Sequence, residues 1–435
     1  MKTEQEYLVK KITDPHRINV EVPGSKSITN RALLIAAMAD GTSTLKGVLF
    51  SDDSRHFLQA LIDMKFPVEV NEAQCTVKIT GYGGSIPYFE QNREKELRID
   101  VGSAGTAARF LTAYLGLSGG NSFLNSSEQM KKRPMQELIE SLENLGVEFT
   151  FDEEENHFPY HIHSNGCQKK ETVVDVEKSS QFLSALLIAS VLADHDFTIH
   201  VKGNHGMEYV KMTIAMMEQF GVSVEQPEAG SYRIAKNSSY KAIDYQIEPD
   251  LSAACYFYAM SPLLHVPAKV MHVHHNCLQG DIRFLTVLKD MGCEILERED
   301  GISVLPPENG LKGGSFDLSG FSDQALTLAA IAPFADQDVT IRKIGHIRFQ
   351  ECDRIHAILS NLHDLGIACE ESDGNVTIHP GTLHGALIHT YEDHRVAMAF
   401  AMIGLKTDHV IIENPSCCRK TFENYFETLE AQVYD

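Results

Sequence analysis

A chain of 435 residues is longer than one hydrophobic core ordinarily supports, so two domains are the expectation. Apolar content of 43% and charged content of 23% describe a globular protein, and no apolar run approaches the roughly 18 residues of a membrane span. The first residues lack the apolar centre of a signal peptide, which points to the cytoplasm, and a net charge of −22 argues against nucleic acid as a partner.

In chain order, two kinds of helix alternate. Ser25–Ala37 is a polar start running into an apolar helix, and Ser54–Met64 is an amphipathic one. The same pair returns as Gly102–Leu111 with Pro134–Gly146, Ser179–Leu187 with Tyr209–Gly221, and Asp250–Cys255 with Asp281–Gly292. It returns again as Ser322–Ala329 with Asp353–Gly366, and as Tyr391–Met398 with Phe422–Leu429. A spacing of about 70–80 residues marks a repeated unit. The first helix of each pair is apolar nearly all round and is expected inside its domain, with strands and the second helices outside. Most second helices end in Gly and enter alternating runs, Val147–Phe151, Val222–Glu225 and Cys293–Leu296, which read as strands. Gly116–Gly120 reads as a helix stop, and His272–His275 alternates like a strand.

The cations gather where the helices begin. Lys26, Arg31, Arg109, Lys131, Lys132, Arg133, Arg354, Arg395, Arg419 and Lys420 all fall at predicted helix starts or the loops before them. A helix start also presents unpaired N–H groups and the positive end of the peptide dipoles, so the pattern favours a small, strongly anionic ligand. There is no GxxxxGK[ST] loop, no strand-bound GxGxxG and no HExxH, which removes the usual support for a kinase, a dinucleotide oxidoreductase or a zinc hydrolase. His272 and His274 are spaced to share a metal, but no carboxylate partner stands near them in the sequence. Nine cysteines without close CxxC pairs read as reduced thiols, and the vicinal Cys417-Cys418 as incidental.

Seven ordered motifs carry a resemblance. Pro23-Gly-Ser-Lys-Ser-Ile-Thr-Asn-Arg-Ala-Leu-Leu34, Gly102-Ser-Ala-Gly-Thr106, Lys132-Arg-Pro134, Ser179-Ser-Gln181, Glu351-Cys-Asp-Arg354, Asp393-His-Arg395 and Lys420-Thr-Phe422 resemble the motif set of the 5-enolpyruvylshikimate-3-phosphate synthase family, from about residue 15 onward. The resemblance implies a two-domain, inside-out α/β fold of three βαβαββ units per domain with buried helices. Residues 1–24 with 249–435 form one expected domain and 25–248 the other, with the active site in the cleft between them. It implies transfer of the enolpyruvyl group of phosphoenolpyruvate to the 5-hydroxyl of shikimate 3-phosphate by a monomer, with no cofactor and no metal.

The same resemblance assigns residues. Asp323 is implied as the base for the hydroxyl, and Glu351, Lys26 and His394 as candidates for proton transfer at the methylene carbon. Lys26, Gly105, Thr106, Arg133, Gln181, Arg354, Arg395 and Lys420 are implied for phosphoenolpyruvate. Lys26, Ser27, Arg31, Ser179, Ser180, Gln181, Tyr209, Asp323, His346 and Gln350 are implied for shikimate 3-phosphate. Without the motifs, Asp323 reads as a helix N-cap, Glu351 as a surface acid, and Ser179 and Ser180 as ordinary caps. The chain departs from the family at Gln350, where Lys is common, at Gly206 for Ser, at His346, where Asn can occur, and at Ser103 for Asn; Arg348 or His346 is the expected compensation. The alternatives are a relative acting on another hydroxyl acceptor and a non-catalytic anion-binding relative. A sister enzyme acting on a UDP-sugar uses a loop Cys, which Ser126–Lys132 lacks.

Overall fold

A computed structural model describes residues 6–92 and 95–433. Apart from short helical turns, its helices follow the expected alternation. The inner set is α1 (Lys26–Met38), α3 (Gly105–Ser118), α5 (Gln181–Ala189), α7 (Leu251–Leu264), α9 (Ala325–Ile331) and α11 (His394–Gly404). The outer set is α2 (Asp52–Asp63), α4 (Gln136–Asn144), α6 (Met207–Gln219), α8 (Phe284–Asp290), α10 (Arg354–Asp364) and α12 (Tyr425–Val433). Every residue of α9 and α11 is buried, and every residue of α3 except Ser118. The outer helices bury one face each; in α10 this is Arg354, Ile355, Ala357, Ile358, Asn361 and Leu362, the i, i+3, i+4, i+7 stripe.

The chain divides into two compact units, Gly24–Ile247 and Met1–Pro23 with Glu248–Asp435. The described residues form six sheets, three in each unit. Five share one plan: a parallel pair extended by two antiparallel strands, as in Leu97–Asp100, Gly120–Asn125, Tyr160–Ser164 and Glu148–Phe151. The sixth, Leu387–Ile388 with Val410–Glu413, takes Glu6–Val9 as its third strand, antiparallel. Segments distant in sequence also complete other sheets. Asp244–Gln246 runs parallel to Asp40–Lys46 in one unit, and Ile18–Val20 parallel to Ala268–Met271 in the other.

Several boundaries lie later than the sequence pattern suggests, for one reason. After the outer helices, Gly146, Gly221, Gly292 and Gly366 take positive φ, and the next residue still bonds back into the helix. Val147 donates to Leu142, Val222 to Met217, Cys293 to Leu288 and Ile367 to Leu362. Those residues are helix caps, so the strands begin beyond them, at Glu148, Glu225 and Glu294. The last inner helix begins at His394 rather than Tyr391, because Tyr391 and Glu392 are left-handed (φ 53° and 57°) and Asp393 accepts the capping bond from Arg395 N–H. Gly116 lies inside α3, and only Gly119 is at its end. His272 is left-handed and leaves the strand Ala268–Met271, so the expected strand over His272–His275 is a turn. Its His274 and His275 both bond Glu297, a carboxylate remote in sequence. Among the described residues no helix is long and apolar enough to cross a membrane, and all nine cysteines are free.

The C-terminal end of α1 is closed off tightly. At α1 the strand Thr76–Tyr82 crosses so near that a Cβ on Gly81 would lie 2.5 Å from the Ala36 carbonyl oxygen and 2.6 Å from that of Ala37, with the Ala39 carbonyl closer still. Backbone oxygens cannot swing aside as a side chain can. Gly81→Ala is therefore expected to destabilise the Gly24–Ile247 unit by about 1–3 kcal/mol, the range for overpacking, measured as a lowered urea midpoint.

Candidate active site

The cations expected at helix starts can be followed from one inner helix to the next within each unit. In the Gly24–Ile247 unit, Lys26 is the first residue of α1 and pairs with Asp53 of α2 at 3.5 Å. Asp53 is 1% exposed, and its other oxygen has no hydrogen-bond partner, so Lys26 is its principal counter-charge. Nothing in the local sequence of Asp53 marks it out, and the sequence reading passed over it. Gly105 opens α3 directly under Arg133: a Cβ there would lie 2.5 Å from Arg133 Nη1. Thr106 follows and is nearly buried.

Arg31 joins three helices. It donates from Nε to Thr213 (2.7 Å), from Nη1 to the Ser27 carbonyl (2.9 Å) and from Nη2 to Ser184 and the Tyr209 carbonyl (3.4 Å each). All of these acceptors are neutral, and burial pulls its guanidinium down to about 10. Arg31 also lies over the Phe110 ring and Arg109 over Phe182, so that α1 meets α3 and α3 meets α5. Arg109, expected at a helix start, is instead a buried structural residue within α3, bonded to Gly105 and Pro134 carbonyls. At α5, Ser179 accepts from Gln181 N–H as a cap, while Gln181 Oε1 is enclosed without a partner. Gly206 precedes α6 at φ 64°, with Ser180 Oγ 2.5 Å from where its Cβ would stand. A side chain there would be both strained and crowded, which accounts for the absence of Ser.

The other unit gathers a denser cluster around Arg354, the first residue of α10. Its Nε donates to Asp393 (2.8 Å), Nη1 to Asp323 (3.0 Å) and to Gln350, and Nη2 to Glu351 (2.9 Å). Burial alone pulls this guanidinium down, but Asp393, Glu351 and Asp323 outweigh it and push it up. Arg354 is 1% exposed, so a ligand reaches it only by displacing one of these partners. Arg395 donates to Asp323 Oδ2 at 2.8 Å and keeps 8% of its side chain exposed; Lys420 lies 3.7 Å from Glu351 with 7% exposed. Burial lowers the affinity of Arg395 for its proton, yet Asp323, Tyr256, Asp250 and Asp281 raise it well above normal.

Asp323 sits in the turn Ser322–Gln324, whose cap position is Phe321, and its carboxylate is spent on two arginines instead of on capping. Glu351 likewise is no surface acid, being 10% exposed between Arg354 and Lys420. His394, implied for proton transfer, has its ring fully enclosed, with Nδ1 3.7 Å from an Asp393 carboxylate oxygen. His346 bonds Ser322 (2.8 Å), next to Asp323. Arg348 does not compensate for Gln350, since its fork is committed to Asp353 and Glu371.

The arrangement is therefore two sets of cations at helix starts, one of which includes carboxylates able to move protons. A profile of the family described as EPSP synthase (3-phosphoshikimate 1-carboxyvinyltransferase) matches residues 11–429. A 3-phosphoshikimate 1-carboxyvinyltransferase of Trichormus variabilis is 41% identical over 413 residues, covering 95% of each chain. A 3-phosphoshikimate 1-carboxyvinyltransferase 2 of Halalkalibacterium halodurans is 38% identical over 417 residues, covering 95% of this chain and 91% of that one. An EPSP synthase structure from Acinetobacter baumannii superposes with a TM-score of 0.81 at 22% identity, over 99% of this chain and 98% of the other. Matched along nearly its whole length, this chain belongs to the EPSP synthase family.

Proposed function

We propose that the chain transfers the enolpyruvyl group of phosphoenolpyruvate to the 5-hydroxyl of shikimate 3-phosphate and releases phosphate. The observation that carries this reading is Asp323, a carboxylate held in a fixed direction by two arginines at helix starts, in a chain of this family. A hydroxyl cannot add to C2 of the enol phosphate without losing its proton, and the π electrons of the C=C bond must be taken up at the methylene carbon, C3, as a bond to an added proton. Asp323 takes the hydroxyl proton as the oxygen bonds to C2 of phosphoenolpyruvate. An acid delivers a proton to C3, for which Glu351 is the first candidate and Lys26 and His394 the others. The tetrahedral adduct then loses a proton from its C3 methyl group, that C–H electron pair re-forms the C=C bond, the bond between C2 and the phosphate oxygen breaks, and phosphate departs.

The anionic groups need cations that remain reachable. Lys26, Arg133, Arg395 and Lys420 meet that need, with Arg354 holding the carboxylates in place, and Gly105, Thr106 and Gln181 completing the phosphoenolpyruvate set. Ser27, Arg31, Ser179, Ser180, Tyr209, His346 and Gln350 form the proposed acceptor set. Arg31 supports a phosphate-bearing acceptor, because a buried cation facing only neutral acceptors gains most from an added anion.

Lys26→Ala and Arg395→Ala should each lower kcat/KM for phosphoenolpyruvate by at least about a hundredfold, roughly 2.7 kcal/mol, while folding cooperatively. Coupled phosphate-release assays with both substrates test this; near-normal kinetics in either variant would show that the ligand set is wrong.

Gly105→Ala tests the close approach at α3. The added methyl must push the Arg133 fork aside, so KM for phosphoenolpyruvate should rise about tenfold or more, with KM for shikimate 3-phosphate changing much less. The thermal midpoint should barely move, because the displaced group is the far end of a side chain.

A further inference from the structure

A second carboxyl lies behind Asp323 that the reaction described above does not use. Asp281, in the turn Gly280–Arg283 ahead of α8, is 3% exposed. Its Oδ1 accepts hydrogen bonds from Ser252 Oγ of α7 (3.0 Å) and from Gln324 Nε2 (2.5 Å). Gln324 is the residue after Asp323 and the last of the same short turn, and its carbonyl oxygen accepts from Thr327 Oγ1 (2.9 Å). Asp281 therefore holds one end of the turn while Arg354 and Arg395 hold Asp323 itself.

The charges around Asp281 are mixed. Asp250 and Cys255 face it from α7, Cys277 from the loop before its own turn, Asp323 from the neighbouring turn and Arg395 from α11. Burial first, then the charge of Asp323, push its carboxyl up to about 6, against the pull of Arg395 and Gln324. A negative charge beside a carboxylate favours that carboxylate taking up a proton.

We propose that Asp281 is a positioning residue for the base, anchoring the Ser322–Gln324 turn through Gln324 and, when ionised, favouring proton uptake by Asp323. This rests on the assignment of Asp323 as the group that takes the hydroxyl proton. In that step the hydroxyl O–H bond breaks, its electron pair forms the C–O bond, and the proton passes to Asp323; Asp281 exchanges nothing with the substrates. Its negative charge makes the protonated Asp323 easier to form.

Asp281→Asn keeps an oxygen for both hydrogen bonds and removes the charge, with an NH2 group in place of the second oxygen. At pH 8 it should lower kcat by about ten- to a hundredfold with both KM values nearly unchanged. At pH 5 the wild type has itself become neutral at Asp281, so the two enzymes should converge. A ratio of wild type to variant that is flat from pH 5 to 8 would overturn the proposal. Stability supplies the folding control. A buried acid with a raised pKa favours the fold when protonated and loses that contribution as pH rises through about 6. The variant should thus gain thermal midpoint relative to the wild type between pH 5 and 8.

Should Asp281→Asn fail to fold, Gln324→Leu carries the same test. It cuts the link and removes a bond that favours the charged form, so the limb of kcat near pH 6 should move upward, and an unmoved limb overturns the proposal. Asp323→Asn separates the two assignments. Loss of activity by more than about a thousandfold supports the base itself, whereas full activity in that variant sinks the base assignment, and this inference with it, irrespective of Asp281.

Discussion

An inner helix that is apolar on every side must be enclosed on every side, and that constraint decides where this protein can do chemistry. The flanks of α9 and α11 are wholly buried, and at α1 a strand closes over the C-terminal carbonyls at Gly81. The N-terminal turns carry unpaired N–H groups and a partial positive charge. An anion-binding function thus follows from the packing before any side chain is considered. The cations at Lys26, Arg395 and Lys420 add to a field that the backbone already provides.

Within the cluster around Arg354, holding and binding are divided between residues. Arg354 satisfies three carboxylates and an amide and is almost wholly enclosed. It fixes the directions of Asp323, Glu351 and Asp393. Arg395 and Lys420 each share one of those carboxylates and keep some exposed surface. Removing Arg354 would leave several buried anions uncompensated, a loss of a different kind from removing a ligand-facing cation. The Gly24–Ile247 unit solves the same problem differently: Arg31 is buried against hydroxyls and carbonyls alone, so its positive charge is unbalanced inside the protein.

Much of this was legible in the amino-acid order, because the inner helices differ from the outer ones in a property that composition records directly. A helix without a polar face announces its burial, and a polar cluster immediately before it announces a reachable end. The details that escaped are those set by partners remote in sequence. Asp53 matters because α2 brings it to Lys26, and Asp281 because its turn meets Gln324. Likewise the enclosure of the His394 ring beside Asp393 comes from packing that the residues around it in sequence do not record. Strand starts were misplaced by residues whose alternation is real but whose N–H groups are taken by helix caps, as at Val222.

The departures from the family pattern illustrate the same dependence on neighbours. Taken alone, Gln350 is a missing cation and Gly206 a missing hydroxyl. In the fold, the amide oxygen of Gln350 accepts from Arg354, where a lysine would set two like charges together. Gly206 is left-handed and pressed against Ser180, so the position is closed to a side chain whatever a ligand would gain from one. At Gln350 and at Gly206 the departure is thus matched by a local contact. Those contacts lie on the acceptor side of the proposed site, while the residues proposed for phosphoenolpyruvate keep the family's identities. A chain can vary where neutral atoms and backbone N–H groups share in holding a ligand. It has far less freedom where charge must be balanced pair by pair, as it is around Asp323.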